Sequence, residues 1–386
     1  MTFFKYGCGT PAGKLNGGPV THDYRSGEKQ MLDHNGRKID YLRISVTDRC
    51  NLRCRYCMPE GIKCLPMPEI LTYEEICTVA ETAAELGIRH IKLTGGEPLV
   101  RRGLISLIQK LKGVPGIEAV TMTTNGILLE KELPALMDAG LDAVNISLDT
   151  MEREKYREIT GTDGLDTVLS AIRAACAAGR TGLLNPGDSA GCSAGSPALP
   201  AGAVAASGRD LRVKINAVSL NLGEENLHAL IDIAKTMPVD VRFIEMMPIG
   251  FGRNFPAISH TALLEKLKAM YPGLQKDDRR HGYGPAVYYT IPGYQGSVGL
   301  ISAIHGKFCD TCNRVRLTSQ GYLKTCLCYN DGADLRAILR AGLPETEMRA
   351  ALFDSMREAI LCKPDAHCFD KPSRITENAG MNAIGG

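Results

Sequence analysis

Residues 41 to 57 read Tyr-Leu-Arg-Ile-Ser-Val-Thr-Asp-Arg-Cys-Asn-Leu-Arg-Cys-Arg-Tyr-Cys. The opening run, residues 41–46, is short and mostly apolar, which predicts a buried parallel strand. Cys50, Cys54 and Cys57 follow it in the pattern C-x₃-C-x₂-C. Three thiols on one short loop indicate a metal site at the end of this strand.

Outward from this strand, short runs rich in Val, Ile and Thr alternate with helical patterns as far as Met247. We predict strands over residues 41–46, 90–93, 119–123, 143–148, 211–218 and 239–245. Helices are predicted after a capping box at Thr72 and Glu75, and over residues 102–112, 167–178 and 224–236. Six such βα units indicate an open parallel sheet or an incomplete β/α barrel, with ligands beyond the carboxyl ends of the strands.

The rest of the chain divides around this core. Residues 1–38 form an N-terminal extension, and residues 39–247 form the core with a Gly-, Ala- and Ser-rich insertion at 181–210, which we predict to be a flexible loop. Residues 248–386 form a smaller α+β region. It has predicted strands near 286–291 and 297–304, and predicted helices over 261–270, 334–340 and 345–361.

Composition excludes several classes of protein. The chain has 386 residues, 44% hydrophobic and 23% charged, which indicates a globular protein of two or three domains. A net charge of +2 does not indicate a general nucleic-acid or membrane-surface binder, and no apolar run approaches the ~20 residues that span a bilayer. Residues 1–20 lack the apolar segment of a signal peptide, and Asp23 and Glu28 interrupt any transit-peptide pattern. We therefore expect a cytoplasmic protein whose 14 cysteines serve metal rather than disulfides.

Each cysteine group has two interpretations from spacing alone. The first group could hold three corners of a four-iron cluster, or could bind zinc with Cys64 as a fourth ligand. The second group, Cys309, Cys312 and Cys326, has the spacing C-x₂-C-x₁₃-C, with Cys328 two residues further on. Two close pairs resemble a zinc ribbon, but a second iron–sulfur cluster is the alternative.

The first cysteine loop resembles the radical S-adenosyl-L-methionine (SAM) superfamily. The run Leu93-Thr-Gly-Gly-Glu-Pro98, after the next strand, resembles its glycine-rich SAM motif. From about residue 32 to 386, apart from the insertion, the sequence is similar to the GTP 3′,8-cyclase family of molybdenum cofactor biosynthesis. The matching strings are Tyr41-Leu-Arg-Ile-Ser, Thr123-Thr-Asn-Gly126, Asn145-Ile-Ser-Leu-Asp149, Arg242-Phe-Ile-Glu-Met-Met247, Phe308-Cys-Asp-Thr-Cys-Asn-Arg-Val-Arg316 and Ile384-Gly-Gly386.

This resemblance implies an incomplete (β/α)₆ TIM-like barrel with two [4Fe-4S] clusters, each held by three cysteines. It also implies a lyase in which a 5′-deoxyadenosyl radical takes the 3′ hydrogen of GTP and C3′ then bonds to C8. The product is (8S)-3′,8-cyclo-7,8-dihydroguanosine 5′-triphosphate. The positions that the resemblance assigns are Cys50, Cys54, Cys57, Cys309, Cys312 and Cys326 for iron; Tyr56, Gly96, Ser147 and Met247 for SAM; Arg43, Lys92, Thr123, Lys214, Arg314, Val315 and Arg316 for GTP; and Gly385 and Gly386 as a tail that reaches the site.

Two features of the GTP positions can be argued from the residues. No G-x-x-x-x-G-K-[ST] loop is present, so phosphate binding must use side chains of the barrel. Arg314 and Arg316, two apart on a strand-like run, should point to one face. Lys92 stands where the family more often has arginine, which keeps the charge but loses the forked geometry.

The resemblance further implies a low-potential electron donor and, by pathway, a downstream cyclic pyranopterin monophosphate synthase. It implies no nucleic acid and no membrane, and we expect a monomer or homodimer. Two alternatives remain at this point. One is another radical SAM enzyme with an auxiliary cluster, such as a peptide-modifying one. The other is a non-catalytic metal or iron–sulfur protein.

Overall fold

The computed structural model describes residues 30–179, 211–256 and 258–385. The predicted insertion at 181–210, most of the N-terminal extension and Gly386 lie outside these residues. Among the described residues, no helix combines the length and the apolar character needed to cross a membrane.

The core repeats strand and helix along the chain, as the hydrophobic pattern predicts. Its strands are β1 (Tyr41–Ser45), β2 (His90–Thr94), β3 (Ala119–Thr124), β4 (Ala143–Ser147), β5 (Arg212–Val218) and β6 (Asp240–Ile244). Its helices are α1 (Tyr73–Glu85), α2 (Leu104–Lys112), α3 (Leu129–Asp138), α4 (Arg153–Thr160), α5 (Leu165–Ala178), α6 (Glu224–Ile231) and α7 (Ile233–Thr236). All six predicted strands are confirmed, and no end differs from the predicted one by more than one residue.

The capping box that starts α1 is confirmed. The Thr72 side chain accepts a hydrogen bond from the Glu75 backbone N–H at 3.1 Å, and the Glu75 carboxylate accepts from the Thr72 N–H at 2.7 Å. Ile76, Val79 and Ala80 then bury one face of the helix against the sheet. The helix therefore begins where its first free N–H groups find side-chain acceptors.

Two helices of the core, α3 and α4, were not predicted, and one predicted helix is divided. α4 is too polar to show an apolar stripe, since its buried residues are only Tyr156, Ile159 and Thr160. α3 contains Pro134, which weakens a helical prediction. The predicted helix 224–236 is interrupted at Asp232, between α6 and α7.

The C-terminal part adds α8 (His260–Met270), β7 (Gln275–Asp277), β8 (Val287–Thr290), β9 (Ser297–Ile301), β10 (Arg314–Leu317), β11 (Tyr322–Lys324), β12 (Gly332–Asp334), α9 (Leu335–Leu339), α10 (Glu345–Leu361) and α11 (Met381–Ile384). β9 pairs in parallel with β6, and β10 pairs in parallel with β1. These strands therefore lengthen the sheet at both ends. The division of the chain at residue 247 remains a prediction.

One sheet of twelve strands results, in the order β12-β11-β10-β1-β2-β3-β4-β5-β6-β9-β8-β7. The strands from β10 to β9 are parallel, and the outer strands are antiparallel. Leu42 and Ile44 on β1 are fully buried in the apolar core, while Arg43 between them lines the cavity described below. This alternation gives the incomplete α/β barrel an apolar layer under the helices and a polar, functional inner face.

Candidate active site

One large cavity, of about 390 Å³, occupies the inner face of the barrel. It gathers positions from almost every parallel strand and from both cysteine groups. The predicted site residues that line it are Cys50, Cys54, Cys57, Cys309, Cys312, Cys326, Tyr56, Gly96, Ser147, Met247, Arg43, Lys92, Thr123, Lys214, Arg314 and Arg316. Residues assigned to three different ligands thus share one space.

The first cysteine group forms a tight loop after β1. The Cys57 N–H donates to the Cys54 carbonyl at 3.0 Å, and the Leu52 N–H donates to the Cys50 sulfur at 3.4 Å. Burial and the neighbouring Cys50 raise the pKa of Cys57 to about 12. Thiolates in this loop are therefore disfavoured without a cation, and three cysteine sulfurs are the donors that iron–sulfur clusters use. Among the described residues, no three such side chains already stand at metal-binding distance.

The glycine-rich loop after β2 packs directly on the chain that leads into this cysteine loop. The Gly96 N–H donates to the Thr47 carbonyl at 2.7 Å, and the Glu97 N–H donates to the Arg49 carbonyl at 2.8 Å. A side-chain carbon on Gly96 would lie 2.1 Å from the Arg49 carbonyl oxygen. Glycine is thus required for the two loops to touch each other, as well as for any approach of a ligand.

Glu97 ties the ends of β2 and β3 to the same loop. Its buried carboxylate accepts from the Thr124 hydroxyl at 2.8 Å and from the Asn125 N–H at 2.7 Å. The Asn125 side chain in turn approaches the Cys50 sulfur at 3.7 Å. Burial raises the pKa of Glu97 to about 7.

Tyr56 is held from the far side of the cavity by Asp149, which follows β4. The Tyr56 hydroxyl donates to Asp149 at 2.7 Å, and the Val218 N–H donates to the other carboxylate oxygen at 2.8 Å. Burial raises the pKa of Asp149 to about 6. The prediction for Tyr56 missed this partner, although Asp149 stands in a matching string two residues after Ser147.

The second cysteine group enters the cavity from the C-terminal part. The Cys309 sulfur accepts from the His367 N–H at 3.5 Å, and the Arg314 guanidinium lies 3.8 Å from the Cys312 sulfur. Burial alone would raise the pKa of Cys312, but Arg314 and Lys363 lower it to about 6. A group whose thiolate is favoured before metal binds is a suitable cluster ligand.

The structure separates Cys326 from Cys328. Cys326 lines the cavity, and its sulfur accepts from the Cys328 N–H at 3.5 Å. Cys328 is fully buried outside the cavity, with its sulfur beside that of Cys368. Cys326 is therefore the thiol placed beside Cys309 and Cys312.

A row of buried cations crosses the inner face of the sheet. Arg43 is opposite Arg316 on one neighbouring strand and opposite Lys92 on the other. Burial and the positive charges of Arg314 and Arg242 lower the pKa of Arg43 to about 10. Burial also lowers the pKa values of Lys92 and Arg316, and Arg43 is among the positive charges that lower both. Among the described residues, the side-chain charges that shift the pKa of Lys92 are all positive. Clustered buried cations of this kind favour a polyanionic ligand.

Lys214 is in a different environment from the other predicted phosphate ligands. Its ammonium group forms an ion pair with Asp240 at 2.7 Å. It also donates hydrogen bonds to the Tyr288 hydroxyl at 3.0 Å and to the His281 carbonyl. The Asp240 carboxylate is also hydrogen-bonded to the His281 ring at 3.0 Å and to the Ser297 hydroxyl at 2.6 Å. The charge of Lys214 is therefore already balanced at the cavity wall.

Two described positions that the resemblance assigns, Val315 and Gly385, do not line the cavity. The Val315 side chain is buried in the apolar core, so we do not include it in the proposed GTP site. The Gly385 carbonyl accepts from the Arg316 guanidinium at 2.5 Å, which places the C-terminal tail against the cation row. Gly386 lies outside the described residues.

Arg242 is a cavity residue that the sequence prediction did not assign to the site. It is buried on β6, donates to the Asn216 side chain at 2.5 Å, and leaves its Nε atom without a partner. The alternation of β6 was the available signal, because Asp240 and Arg242 share one face while Val241 and Phe243 face the core.

Comparison with known proteins agrees with the site. The Radical SAM superfamily model matches residues 44–186, and the Molybdenum Cofactor Synthesis C model matches residues 239–369. The fold and the three-thiol loop thus define a radical SAM protein. Its superfamily implies SAM and a [4Fe-4S] cluster.

Comparison with individual proteins identifies the family within the radical SAM superfamily. The chain is 37% identical over 358 residues to the GTP 3′,8-cyclase of Clostridium perfringens (strain SM101 / Type A), covering 92% of this chain and 100% of the relative. It is 40% identical over 365 residues to that of Pelotomaculum thermopropionicum, with the same coverages. The chain belongs to the GTP 3′,8-cyclase family.

Solved structures show the same fold at low identity. Streptococcus suis SuiB bound to S-adenosylmethionine is similar with a TM-score of 0.53 and 12% identity, over 90% of this chain and 78% of that chain. SuiB bound to its precursor peptide SuiA gives a TM-score of 0.52 and 12% identity, over 88% and 75%.

Proposed function

We propose that this protein converts GTP to (8S)-3′,8-cyclo-7,8-dihydroguanosine 5′-triphosphate, as the first step of molybdenum cofactor biosynthesis. The observation that carries the proposal is the single cavity that joins two groups of three cysteines to a row of buried cations. Together these features supply a site for SAM, a site for a purine and a site for phosphates.

The SAM end of the cavity is built around the first cysteine group. Cys50, Cys54 and Cys57 would hold three irons and leave one iron open for SAM. When bound, the cluster supplies the electron that cleaves SAM to a 5′-deoxyadenosyl radical, which removes the 3′ hydrogen of GTP. The chain orients SAM through Gly96 and through Tyr56, which Asp149 fixes at 2.7 Å.

The second cysteine group is proposed to hold a second [4Fe-4S] cluster that binds the purine. Its three thiols face the same cavity, and no fourth cysteine of the described residues lines it beside them. The donors from His367 and Arg314 to the sulfurs resemble the hydrogen bonds that tune iron–sulfur clusters. The missing fourth ligand is the proposed place of the guanine.

The triphosphate is proposed to lie along the cation row. Arg316 and Arg43 can each bond phosphate oxygens with two N–H groups, while Lys92 acts as a point charge. Arg242 adds a buried guanidinium with an unused Nε donor. In this arrangement GTP relieves the mutual repulsion of the cations, which gives affinity without a phosphate-binding loop.

The direct test is anaerobic incubation of the reconstituted, reduced protein with SAM and GTP. We expect 5′-deoxyadenosine only when GTP is present, together with the cyclised nucleotide, and about eight irons with no zinc per chain for two four-iron clusters. ATP is the matched control nucleotide. Equal 5′-deoxyadenosine with and without GTP would favour another radical SAM enzyme, and zinc without iron would favour a non-catalytic metal protein.

The setting of the enzyme is proposed from the same chemistry. We propose a reducing, cytoplasmic setting, in which the cysteines serve metal rather than disulfides. A low-potential electron donor is required by the chemistry, and the product passes to cyclic pyranopterin monophosphate synthase. A monomer or homodimer remains our prediction.

A further inference from the structure

Two cysteines that the proposed reaction does not use lie directly against each other. The Cys328 and Cys368 sulfurs are 3.2 Å apart, although 40 residues separate them in the chain. Their residues are 0% and 8% exposed, and neither lines the catalytic cavity. With Ile249, Phe369 and Ile384 they form a small apolar cluster of their own.

This pair connects the two sides of the second cysteine group. The Cys328 N–H donates to the Cys326 sulfur at 3.5 Å, and the residue before Cys368, His367, donates its N–H to the Cys309 sulfur at 3.5 Å. The Cys368 N–H donates to the Cys328 sulfur at 3.2 Å. Each thiol of the pair therefore lies in a chain segment whose backbone N–H donates to the sulfur of a proposed cluster ligand, Cys326 for one segment and Cys309 for the other.

We propose that Cys328 and Cys368 form a reversible dithiol–disulfide couple that fastens the segment after α10 over the second cluster site. A disulfide has an S–S distance of about 2.05 Å, so the two sulfurs must approach by about 1.1 Å, a gap of the size that thiols in contact must close to bond. The ligand cysteines are spared because Cys326 faces the cavity while Cys328 faces Cys368.

The oxidant is a small disulfide such as oxidised glutathione. The Cys368 thiolate attacks one glutathione sulfur, because Cys368 keeps some exposure and lies in a segment without helix or strand. One reduced glutathione leaves, and a mixed disulfide remains. Cys328 then attacks the Cys368 sulfur and releases the second glutathione, so that two protein thiols are oxidised and one glutathione disulfide is reduced to two thiols.

Closure of this bond affects access to the second cluster site. The segment after α10 contacts the N-terminal part through Arg37, which donates to the carbonyls of Pro364 at 2.7 Å and Asp365 at 2.9 Å. A covalent link to Cys328 adds a second attachment that cannot open by breaking hydrogen bonds. Iron at the second site should therefore exchange more slowly in the oxidised form.

The test uses the reconstituted protein under anaerobic conditions in buffers of stepped glutathione redox ratio. After alkylation and digestion, we expect one cross-linked peptide joining Cys328 to Cys368, reversible with dithiothreitol, with full retention of iron. In the oxidised form, loss of iron to a chelator should slow at least about threefold for the second cluster. The Cys328→Ser and Cys368→Ser variants should each lose both effects.

Cys176→Ser is the matched control, since Cys176 lies on α5 and contacts neither cysteine group. It should retain the cross-link and the slow loss of iron. Cys368 that stops at the glutathione adduct, a Cys328–Cys326 link with loss of iron, or no change at either thiol would each overturn the proposal. Should Cys328→Ser fail to fold, Cys368→Ser alone decides the question. These readouts do not depend on turnover of GTP.

Discussion

At the scale of single residues, the cations of the active site differ in whether an anionic side chain balances their charge. Arg316, Arg43 and Lys92 are buried with like charges as neighbours, whereas Lys214 is balanced by Asp240 at 2.7 Å. Burial of a charge beside like charges is costly, so these three cations gain free energy when an anionic ligand binds. The sequence assigned all four residues to GTP binding, and the difference in charge balance distinguishes Lys214 from the other three.

Replacing Arg316 with alanine should weaken GTP binding about 10- to 100-fold, or roughly 1.5–3 kcal/mol, because a charge-assisted bidentate contact is lost. Calorimetric titration with GTP measures the effect. Binding of SAM and its reductive cleavage should persist. Arg357→Ala, on the exposed face of α10, should bind GTP normally, and unchanged GTP affinity in Arg316→Ala would count against the proposed contact.

His260 gives a prediction for pH. Its ring bridges the hydroxyls of Ser219 at 2.9 Å and Ser302 at 3.0 Å, and burial lowers its pKa to about 4. The unfolded chain therefore binds a proton below about pH 6.5 that the folded chain does not. The stability that this group contributes is fully present above pH 6.5 and is lost as the pH drops towards 4.

Thermal unfolding between pH 4.5 and 8 checks this. In His260→Asn the loss of stability towards low pH should be smaller than in the parent protein, because no imidazole remains to be protonated on unfolding. His228→Asn, at an exposed position of α6, is the matched control for the loss of an imidazole. An identical slope in all three proteins would contradict the assignment.

At the scale of elements, helix ends position the loops that carry chemistry. The capping box at Thr72 and Glu75 starts α1, and Arg340 from the C-terminal part binds Glu75 at 2.6 Å. The same few residues thus fix the start of the first helix and attach the last third of the chain to it. A local sequence signal here also serves a long-range contact.

The change Thr72→Ala should cost about 1 kcal/mol, since one hydrogen-bond acceptor for the first turn is lost. We expect an apparent Tm lower by about 2 °C, measured by scanning calorimetry. Thr78→Ala provides the control within the same helix, because the Thr78 hydroxyl only returns to the Glu74 carbonyl at 3.1 Å. A drop of equal size in both variants would show that the cap itself is not responsible.

At the scale of the whole molecule, the last described residues of the chain pack against the carboxyl ends of β1 and β2. Gly385 contacts Arg316 through its carbonyl and approaches Ser45 and Thr94 at the ends of β1 and β2. A side-chain carbon at Gly385 would lie 3.2 Å from Thr94 and 3.3 Å from Ser45. The backbone there also has a φ of 76°, so only glycine fits without strain.

Removing Gly385 and Gly386 should abolish cyclisation while both clusters remain. The physical reason is the loss of the carbonyl that orients Arg316 at the cavity. Iron analysis and electron paramagnetic resonance report the clusters, and product formation reports cyclisation. A chain extended by one glycine is a useful comparison, and full activity of the truncated protein would end this interpretation.

The sequence by itself determined the six strands of the core, the capping box and the two groups of three cysteines. These features are local, because alternation, caps and short spacings act within a few residues of each other. It missed α3, which contains Pro134, and α4, whose polar surface shows no apolar stripe, and it assigned Cys326 to the cluster without a role for Cys328.

Tertiary structure decided which of these residues meet. Parallel pairing placed β10 beside β1, and only then did Arg316 lie beside Arg43. Folding also paired Lys214 with Asp240 and turned Cys328 away from the cavity towards Cys368. The physical reason is that charge balance and sulfur contacts depend on partners 26 and 40 residues away, which no local pattern encodes.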